Sequence, residues 1–188
     1  MLELKELEHF SNELTSLKET SYDEDNDAYL TNLDVLVYDF DKIKERYVKD
    51  LKTYLSLSSI PSFRSNDALY NKNGKLIFIE FKNGCITSKM GKEKIRSKIS
   101  ESLLILTDIL DAKLQEIRNI CCCVLVYNKD KNEPFEKQRE TSKYKLFTGI
   151  ANLAKTNHLI EEFDRYRVFF SQIYTINGDE LENVLKSL

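Results

Sequence analysis

The sequence is poor in the residues that build most small metal and redox sites. It has two histidines and four cysteines among 188 residues, and three of the cysteines are consecutive, at 121–123. Consecutive residues of a strand point to alternate faces, so we expect small buried side chains here and not a disulfide framework. No CxxC or Cys/His spacing predicts a zinc site. His9 and His158 have no partner at catalytic spacing, so we expect structural roles for both.

Long apolar runs and glycine-rich loops are also missing. No apolar run reaches the roughly 18 to 20 residues needed to span a bilayer. The N-terminus, MLELKELEHF, is acidic and lacks the basic and apolar regions of a signal peptide. The five glycines form no phosphate-binding loop. We therefore expect a cytoplasmic protein without membrane association, whose hydrophobic fraction of 41% suffices for one core.

Charge is distributed unevenly along the chain. Residues 1–41 carry twelve acidic and two basic side chains, a net charge of −10, within a chain of net charge −3. Residues 72–98 carry eight basic and two acidic side chains, a net charge of +6. A basic segment of this kind is typical of a polyanion-binding protein. An ordinary charged helix surface is the alternative.

The most informative stretch is SNDALYNKNGKLIFIEFKNG, residues 65–84. Its Asn73-Gly74 pair lies between two β-prone segments and predicts a two-residue hairpin turn, because both turn residues must accept positive φ. A turn of this length fixes the register and places Asp67 opposite Glu80. Directly opposed like charges destabilise a strand pair. The pattern therefore predicts a cation between these two carboxylates.

Lys82 lies on the same strand face as Glu80, because side chains alternate along a strand. Two carboxylates and an ammonium are the groups that metal-assisted phosphodiester hydrolysis requires. The carboxylates would hold a hard cation such as Mg²⁺, which lowers the pKa of a bound water and stabilises developing charge. Lys82 would orient that water or stabilise the transition state. A solvated polar face is the alternative, although Leu76 and Phe78 also lie on this face.

These residues resemble the motif of the PD-(D/E)xK nuclease superfamily, an Asp that starts one strand, a Glu-x-Lys on the next strand and then a helix. The matching residues are Asp67 in SNDALY and Glu80-Phe81-Lys82 in IFIEFKNG, and the resemblance covers residues 42–127. It implies that Asp67, Glu80 and the backbone carbonyl of Phe81 bind Mg²⁺ or Mn²⁺, and that Lys82 is catalytic. It also implies a restriction-endonuclease-like α/β core, with a mixed sheet flanked by helices, and DNA in preference to RNA as the substrate.

The same resemblance points to two neighbouring helices. The family often contributes a further Glu from the helix before its first core strand, and Glu45 is the candidate here. After the hairpin, apolar spacings of three and four predict one long amphipathic helix over residues 92–117. The family places this helix beside the catalytic strand, where Lys94, Arg96 and Lys98 would contact nucleic-acid phosphates.

Hydrophobic spacing predicts the remaining elements. Leucines at helical spacing predict an amphipathic helix over residues 1–20, before an acidic loop at 21–27. Residues 67–128 are predicted to run strand, turn, strand, helix, strand, an order that favours a right-handed parallel crossover. Beyond them we predict a mainly helical segment over 144–166, a strand over 167–175 and a short closing helix.

We therefore predict a single α/β domain over residues 1–188. Its parts are an acidic helical and loop segment, a nuclease-like core, and C-terminal helices with a closing strand, with bounds 1–41, 42–128 and 129–188. The expected activity is Mg²⁺-dependent nucleic-acid hydrolysis. The expected partner is nucleic acid, with DNA favoured over RNA, and a homodimer stays open as the oligomeric state.

Two alternative functions stay open. One is a nuclease-like module that binds nucleic acid or protein without cutting. The other is phosphatase chemistry, because Asp39 and Asp41 follow an apolar run and resemble the first motif of haloacid dehalogenase-type phosphotransferases, with nucleophile and acid/base on Mg²⁺. That family has Thr or Val where this chain has Ile43, and its later acidic motif is matched only by Gly178-Asp179. The simpler interpretation is that Asp39 or Asp41 caps the following helix.

Overall fold

A six-stranded mixed β-sheet forms the centre of the protein. We analysed a computed structural model, which describes residues 4–140 and 161–188. The strands of this sheet are β1 (Leu14–Ser16), β4 (Leu36–Asp39), β5 (Ala68–Lys72), β6 (Lys75–Lys82), β7 (Cys121–Tyr127) and β8 (Gln172–Asn177). They lie side by side in the order β1-β4-β5-β6-β7-β8. Neighbours from β1 to β6 are antiparallel, and β6, β7 and β8 are parallel.

Helices flank the sheet on both faces. They are α1 (Leu17–Thr20), α2 (Phe40–Tyr54), α3 (Lys89–Ile109), α4 (Leu114–Ile120), α5 (Glu133–Glu140) and a C-terminal helix (Leu181–Ser187). One hydrophobic cluster packs α2 and α3 against the sheet, and a second packs α1 and the C-terminal helix against the opposite face. The predicted α/β class, a mixed sheet flanked by helices, is confirmed.

The β5–β6 hairpin forms as the sequence predicts. Asn73 and Gly74 both adopt positive φ, of 51° and 81°, which a two-residue turn requires. Ala68 pairs with Ile79, and the register continues to the turn without a bulge. Asp67 therefore lies one residue before β5, beside the end of β6 that carries Glu80. The predicted register is confirmed.

The connection from β6 to β7 is helical and the two strands are parallel, as predicted. The single helix predicted over residues 92–117 is wrong, since two helices cover this region. Helix α3 ends at Ile109, and Asp111 adopts a left-handed conformation with φ of 46°. A left-handed residue ends a helix because it turns the following N–H groups back onto the last carbonyls. Accordingly, the N–H of Ala112 donates to the carbonyl of Thr107.

The helix predicted over residues 1–20 is also wrong. The described part of this segment contains two single-turn 3₁₀ helices, strand β1 and the four-residue α1. Asn12 has φ of 64°, which breaks a helix, and β1 pairs with β4 at the sheet edge. Pairing with an existing sheet has therefore overridden the helical spacing of the leucines. The acidic residues 23–27 lie in a separate small hairpin made of β2 (Tyr22–Asp23) and β3 (Ala28–Tyr29).

The C-terminal part follows the predicted order with shifted bounds. The last strand is Gln172–Asn177, not 167–175, and a short helix closes the chain. Of the helical segment predicted over 144–166, residues 144–160 lie outside the described residues, as does His158. A 3₁₀ helix covers Glu161–Val168. Within the described residues, no helix has the length and apolar character to cross a membrane.

Candidate functional site

A cleft of about 590 Å³ opens where β5 begins and β6 ends. The two strand ends supply Asp67 and Lys82, helix α3 supplies Lys98, and helix α2 supplies Asp41. The β2–β3 hairpin adds the acidic lining residues Asp23, Glu24 and Asp25. The cleft is therefore lined mainly by charged and polar side chains.

Asp67 and Glu80 converge on the ammonium of Lys98. The Nζ of Lys98 lies 2.8 Å from Oδ1 of Asp67, 2.8 Å from Oε1 of Glu80 and 3.0 Å from Oε2 of Glu80. The second carboxylate oxygen of Asp67 accepts a hydrogen bond from the N–H of Phe81 at 2.6 Å. The cation expected between the two carboxylates is, in this structure, a lysine of the neighbouring helix.

The three charges are largely removed from water. Glu80 is 2% exposed, and the side chains of Asp67 and Lys98 are 16% and 27% exposed. Burial, and next the charge of Asp67, raise the pKa of Glu80 well above its usual value against the opposing effect of Lys98. Burial also raises the pKa of Asp67, which Lys98 and the Phe81 N–H counteract. These shifts show that one ammonium does not fully compensate the two buried carboxylates.

Lys98 stays protonated at neutral pH. Burial by itself would lower the pKa of Lys98, but Glu80 and Asp67 outweigh that effect and raise it. The side chain reaches the carboxylates because α3 packs Ile95 and Ile99, on the same helical face, against the sheet. Lys98 is therefore a permanent positive charge inside the cleft.

Lys82 has a different environment from Lys98. It ends β6, lines the cleft and is partly exposed. It forms no salt bridge with any residue in the described ranges, and its Nζ lies near the small residue Gly84. The ammonium of Lys82 can therefore approach a ligand in the cleft without first breaking an ion pair.

Asp41 is a third carboxylate of the cleft that the sequence analysis did not assign to this site. Ser65 Oγ donates a hydrogen bond to Asp41 Oδ1 at 2.5 Å, and Lys44 Nζ lies 3.1 Å from the same oxygen. The charge of Asp41 contributes to the raised pKa values of Asp67 and Glu80. The pairing of β4 with β5 explains this proximity, because α2 begins directly after β4. The sequence held a signal for this position, because the apolar run before Asp41 predicts a buried strand with Asp41 just beyond its end.

The other acidic candidates lie elsewhere. Glu45 is exposed and lines a separate hollow beside α2, and it is not among the described residues that line the cleft. Asp39 caps α2, accepting the N–H of Lys42 at 3.1 Å, which confirms the capping interpretation. Asp179 lines another hollow, next to Lys129. Asp39 and Asp179 are thus not brought into one site.

Of the three basic residues predicted on α3, only Lys98 lies in the cleft. Lys94 is exposed, and the Nε of Arg96 donates to the backbone carbonyl of Lys92 at 3.3 Å. The first turns of α3 therefore do not present Lys94, Arg96 and Lys98 as one surface toward the cleft.

Comparison with known proteins adds no relative. No family model, no curated protein and no solved structure matches this chain.

Proposed function

We propose that the protein is a nuclease that hydrolyses phosphodiester bonds with Mg²⁺ or Mn²⁺, on DNA in preference to RNA. The observation that carries the proposal is the convergence of Asp67 and the buried Glu80 on Lys98, at a charged cleft that Asp67, Lys98 and Lys82 line. The preference for DNA rests on the resemblance to PD-(D/E)xK nucleases alone.

The donor chemistry of the cleft fits a divalent cation. Asp67 and Glu80 share the single ammonium of Lys98, so the three ionised groups carry a net negative charge that a divalent cation would offset. Asp67, Glu80 and the carbonyl of Phe81 would hold the ion, which would activate a water and stabilise charge on the phosphate. Among the described residues, no group of three or more acidic, histidine or cysteine side chains is arranged as a metal site. The ion would therefore have to replace Lys98 between the two carboxylates.

The chain's own groups would act on the phosphate in distinct ways. Lys82 can donate to a phosphate oxygen, and the N–H of Phe81 holds one oxygen of Asp67 so that its carboxylate keeps a fixed orientation. Lys98, once separated from the carboxylates, would add a second positive charge to the cleft. Lys82 and Lys98 together would bind and polarise one phosphodiester, while the N–H of Phe81 positions Asp67.

Cleavage of a panel of single- and double-stranded DNA and RNA tests the proposal. We expect cleavage with Mg²⁺ or Mn²⁺, none with EDTA, and none from Lys82→Ala, whose circular dichroism should match wild type. Lys94→Ala, which replaces an exposed lysine on α3, is the matched control and should cleave normally. If the wild type cleaves none of these substrates with either metal, the enzyme proposal is wrong.

A binding module without catalysis is the second candidate, and one observation favours it. Lys98 already occupies the position between the carboxylates, as a permanent structural ion pair would. In that case the wild type would bind oligonucleotides but cleave none of them with either metal, and neither Mg²⁺ nor Mn²⁺ would change its melting temperature.

A further inference from the structure

A second, smaller hollow lies beside helix α2. It has a volume of about 310 Å³ and is bordered by one face of the helix and by the segment that precedes β5. We call it the α2 hollow. Its lining residues are Lys44, Glu45, Val48, Lys49, Lys52, Ser62 and Phe63. Each helical member, at positions 44, 45, 48, 49 and 52, lies three or four residues from another member, so they form one stripe along α2.

The α2 hollow is basic. Lys49 and Lys52 form no salt bridge with the residues that the structure describes, whereas Lys44 contacts Asp41. Glu45 supplies the acidic charge among the described lining residues. Two such ammonium groups, one helical turn apart, suit adjacent phosphates of a nucleic-acid backbone.

Phe63 gives the α2 hollow an aromatic wall. Its ring is partly buried and packs against the hydrophobic cluster between α2, α3 and the sheet, which holds it in place. A fixed and partly exposed ring can stack on an unpaired base, whereas the bases of a duplex are already stacked on one another. An aromatic wall beside lysines is therefore suited to a single strand.

One ion pair links the α2 hollow to the cleft. Lys44 lines the hollow and contacts Asp41, which lines the cleft. The β2–β3 hairpin adds Glu24 and Asp25 to the cleft lining, and these carboxylates repel phosphates. A polyanion is therefore expected to approach the cleft from the α2 side.

We propose that the α2 hollow binds a single-stranded nucleic acid, with Lys49 and Lys52 on successive phosphates and Phe63 stacked on one base, and guides the strand into the cleft. The inference rests on the proposed nuclease function for its substrate class. It assigns the nucleic-acid contact to α2, whereas the sequence prediction assigned it to Lys94, Arg96 and Lys98 on α3.

Binding of a fluorescein-labelled single-stranded oligo(dT), measured by anisotropy in EDTA at low salt, tests the proposal without cleavage. Lys49→Ala/Lys52→Ala should weaken binding about tenfold and reduce the dependence of log K on log salt by about 1.4. The matched control is Lys89→Ala/Lys94→Ala, which removes two exposed lysines of α3. The control should bind almost as wild type does.

Two further variants separate stacking from charge. Phe63→Leu keeps an apolar side chain against the core and should weaken binding at least about fivefold with little change in the salt dependence. Glu45→Gln removes the opposing charge and should tighten binding.

Equal weakening in the α2 and α3 double variants would show non-specific attraction and overturn the proposal. Equal affinity for a duplex of the same length would overturn the single-strand assignment. Because binding is measured without metal, a protein that binds through α2 but never cleaves contradicts the nuclease proposal alone. Cleavage that is unchanged in Lys49→Ala/Lys52→Ala, with unchanged binding, contradicts the α2 proposal alone.

Discussion

Replacement of Lys98 by Met removes the positive charge that Asp67 and Glu80 share and keeps most of the length of the side chain. Removing one partner of a buried ion pair costs about 3 to 5 kcal/mol, because the remaining charge is left without compensation. Glu80 is nearly inaccessible, with a side chain 3% exposed, whereas Asp67 borders the cleft and can be hydrated. We therefore expect a loss of about 3 kcal/mol in the free energy of unfolding at neutral pH, the lower end of that range.

The loss should depend on pH in a defined direction. Burial and the charge of Asp67 raise the folded-state pKa of Glu80 above the usual 4.5, so the folded protein holds this proton more tightly than the unfolded chain. Stability then decreases as the pH rises from about 4.5 through the folded-state pKa. Lys98 opposes this shift, so its removal raises the folded-state pKa of Glu80 further. The pH range over which stability decreases then becomes wider. The loss in Lys98→Met should be smallest near pH 4.5 and largest above the folded-state pKa of Glu80.

Urea unfolding followed by circular dichroism at acidic and mildly alkaline pH measures both effects. The double variant Lys98→Met/Glu80→Gln should recover much of the lost stability at alkaline pH, since the neutral amide that replaces the Glu80 carboxylate needs no counter-charge. Lys94→Met, on an exposed turn of the same helix, is the control and should change stability by less than about 0.5 kcal/mol. If Lys98→Met matches wild type at both pH values, or if the double variant is no more stable than Lys98→Met, the assignment of Lys98 as the shared counter-charge is wrong.

Three shorter predictions address metal binding, the core and the acidic hairpin. At one hundred times the dissociation constant, Mg²⁺ or Mn²⁺ should raise the free energy of unfolding of wild type by about 2.7 kcal/mol, and Asp67→Asn should respond weakly. Equal shifts in the melting temperatures of wild type and variant would place the metal elsewhere. Thr175 is fully buried in β8, and its hydroxyl has no hydrogen-bond partner in the described structure. Thr175→Val should therefore raise the melting temperature, by an amount that corresponds to about 1 kcal/mol in the free energy of unfolding. Glu24→Gln/Asp25→Asn should tighten oligonucleotide binding at low salt and lose that effect at about 1 M salt, where charges are screened beyond about 3 Å. Unchanged affinity at low salt would show that this hairpin does not repel the ligand.

The acidic-hairpin test uses substitutions because deletion of the N-terminal segment would disturb the fold. Leu4, Phe10 and Leu17 are buried in the two hydrophobic clusters, and β1 forms an edge of the sheet. Glu24 and Asp25 have no such role. Their neutral replacements change the charge beside the cleft and leave the packing intact.

Local sequence rules determined the part of the site that lies in one hairpin. The Asn73-Gly74 turn fixes the register of β5 and β6, and the register brings Asp67 next to Glu80 through backbone geometry alone. The run of three cysteines likewise indicated a buried strand. In the hairpin, the interacting residues are close in sequence. The cysteine run identifies a strand by its own composition.

Tertiary packing decided the rest. Lys98 reaches the carboxylates only because α3 crosses back over the sheet, and the same lysine could equally have faced solvent on an isolated helix. Asp41 joins the cleft because β4 pairs with β5, a contact between segments that are separated by a long connection. Residues 14–16 became a strand because β4 offered an open edge. Charge and hydrophobic spacing in the sequence describe one element at a time. Lys98 lies between Asp67 and Glu80 because of the way α3 packs on the sheet.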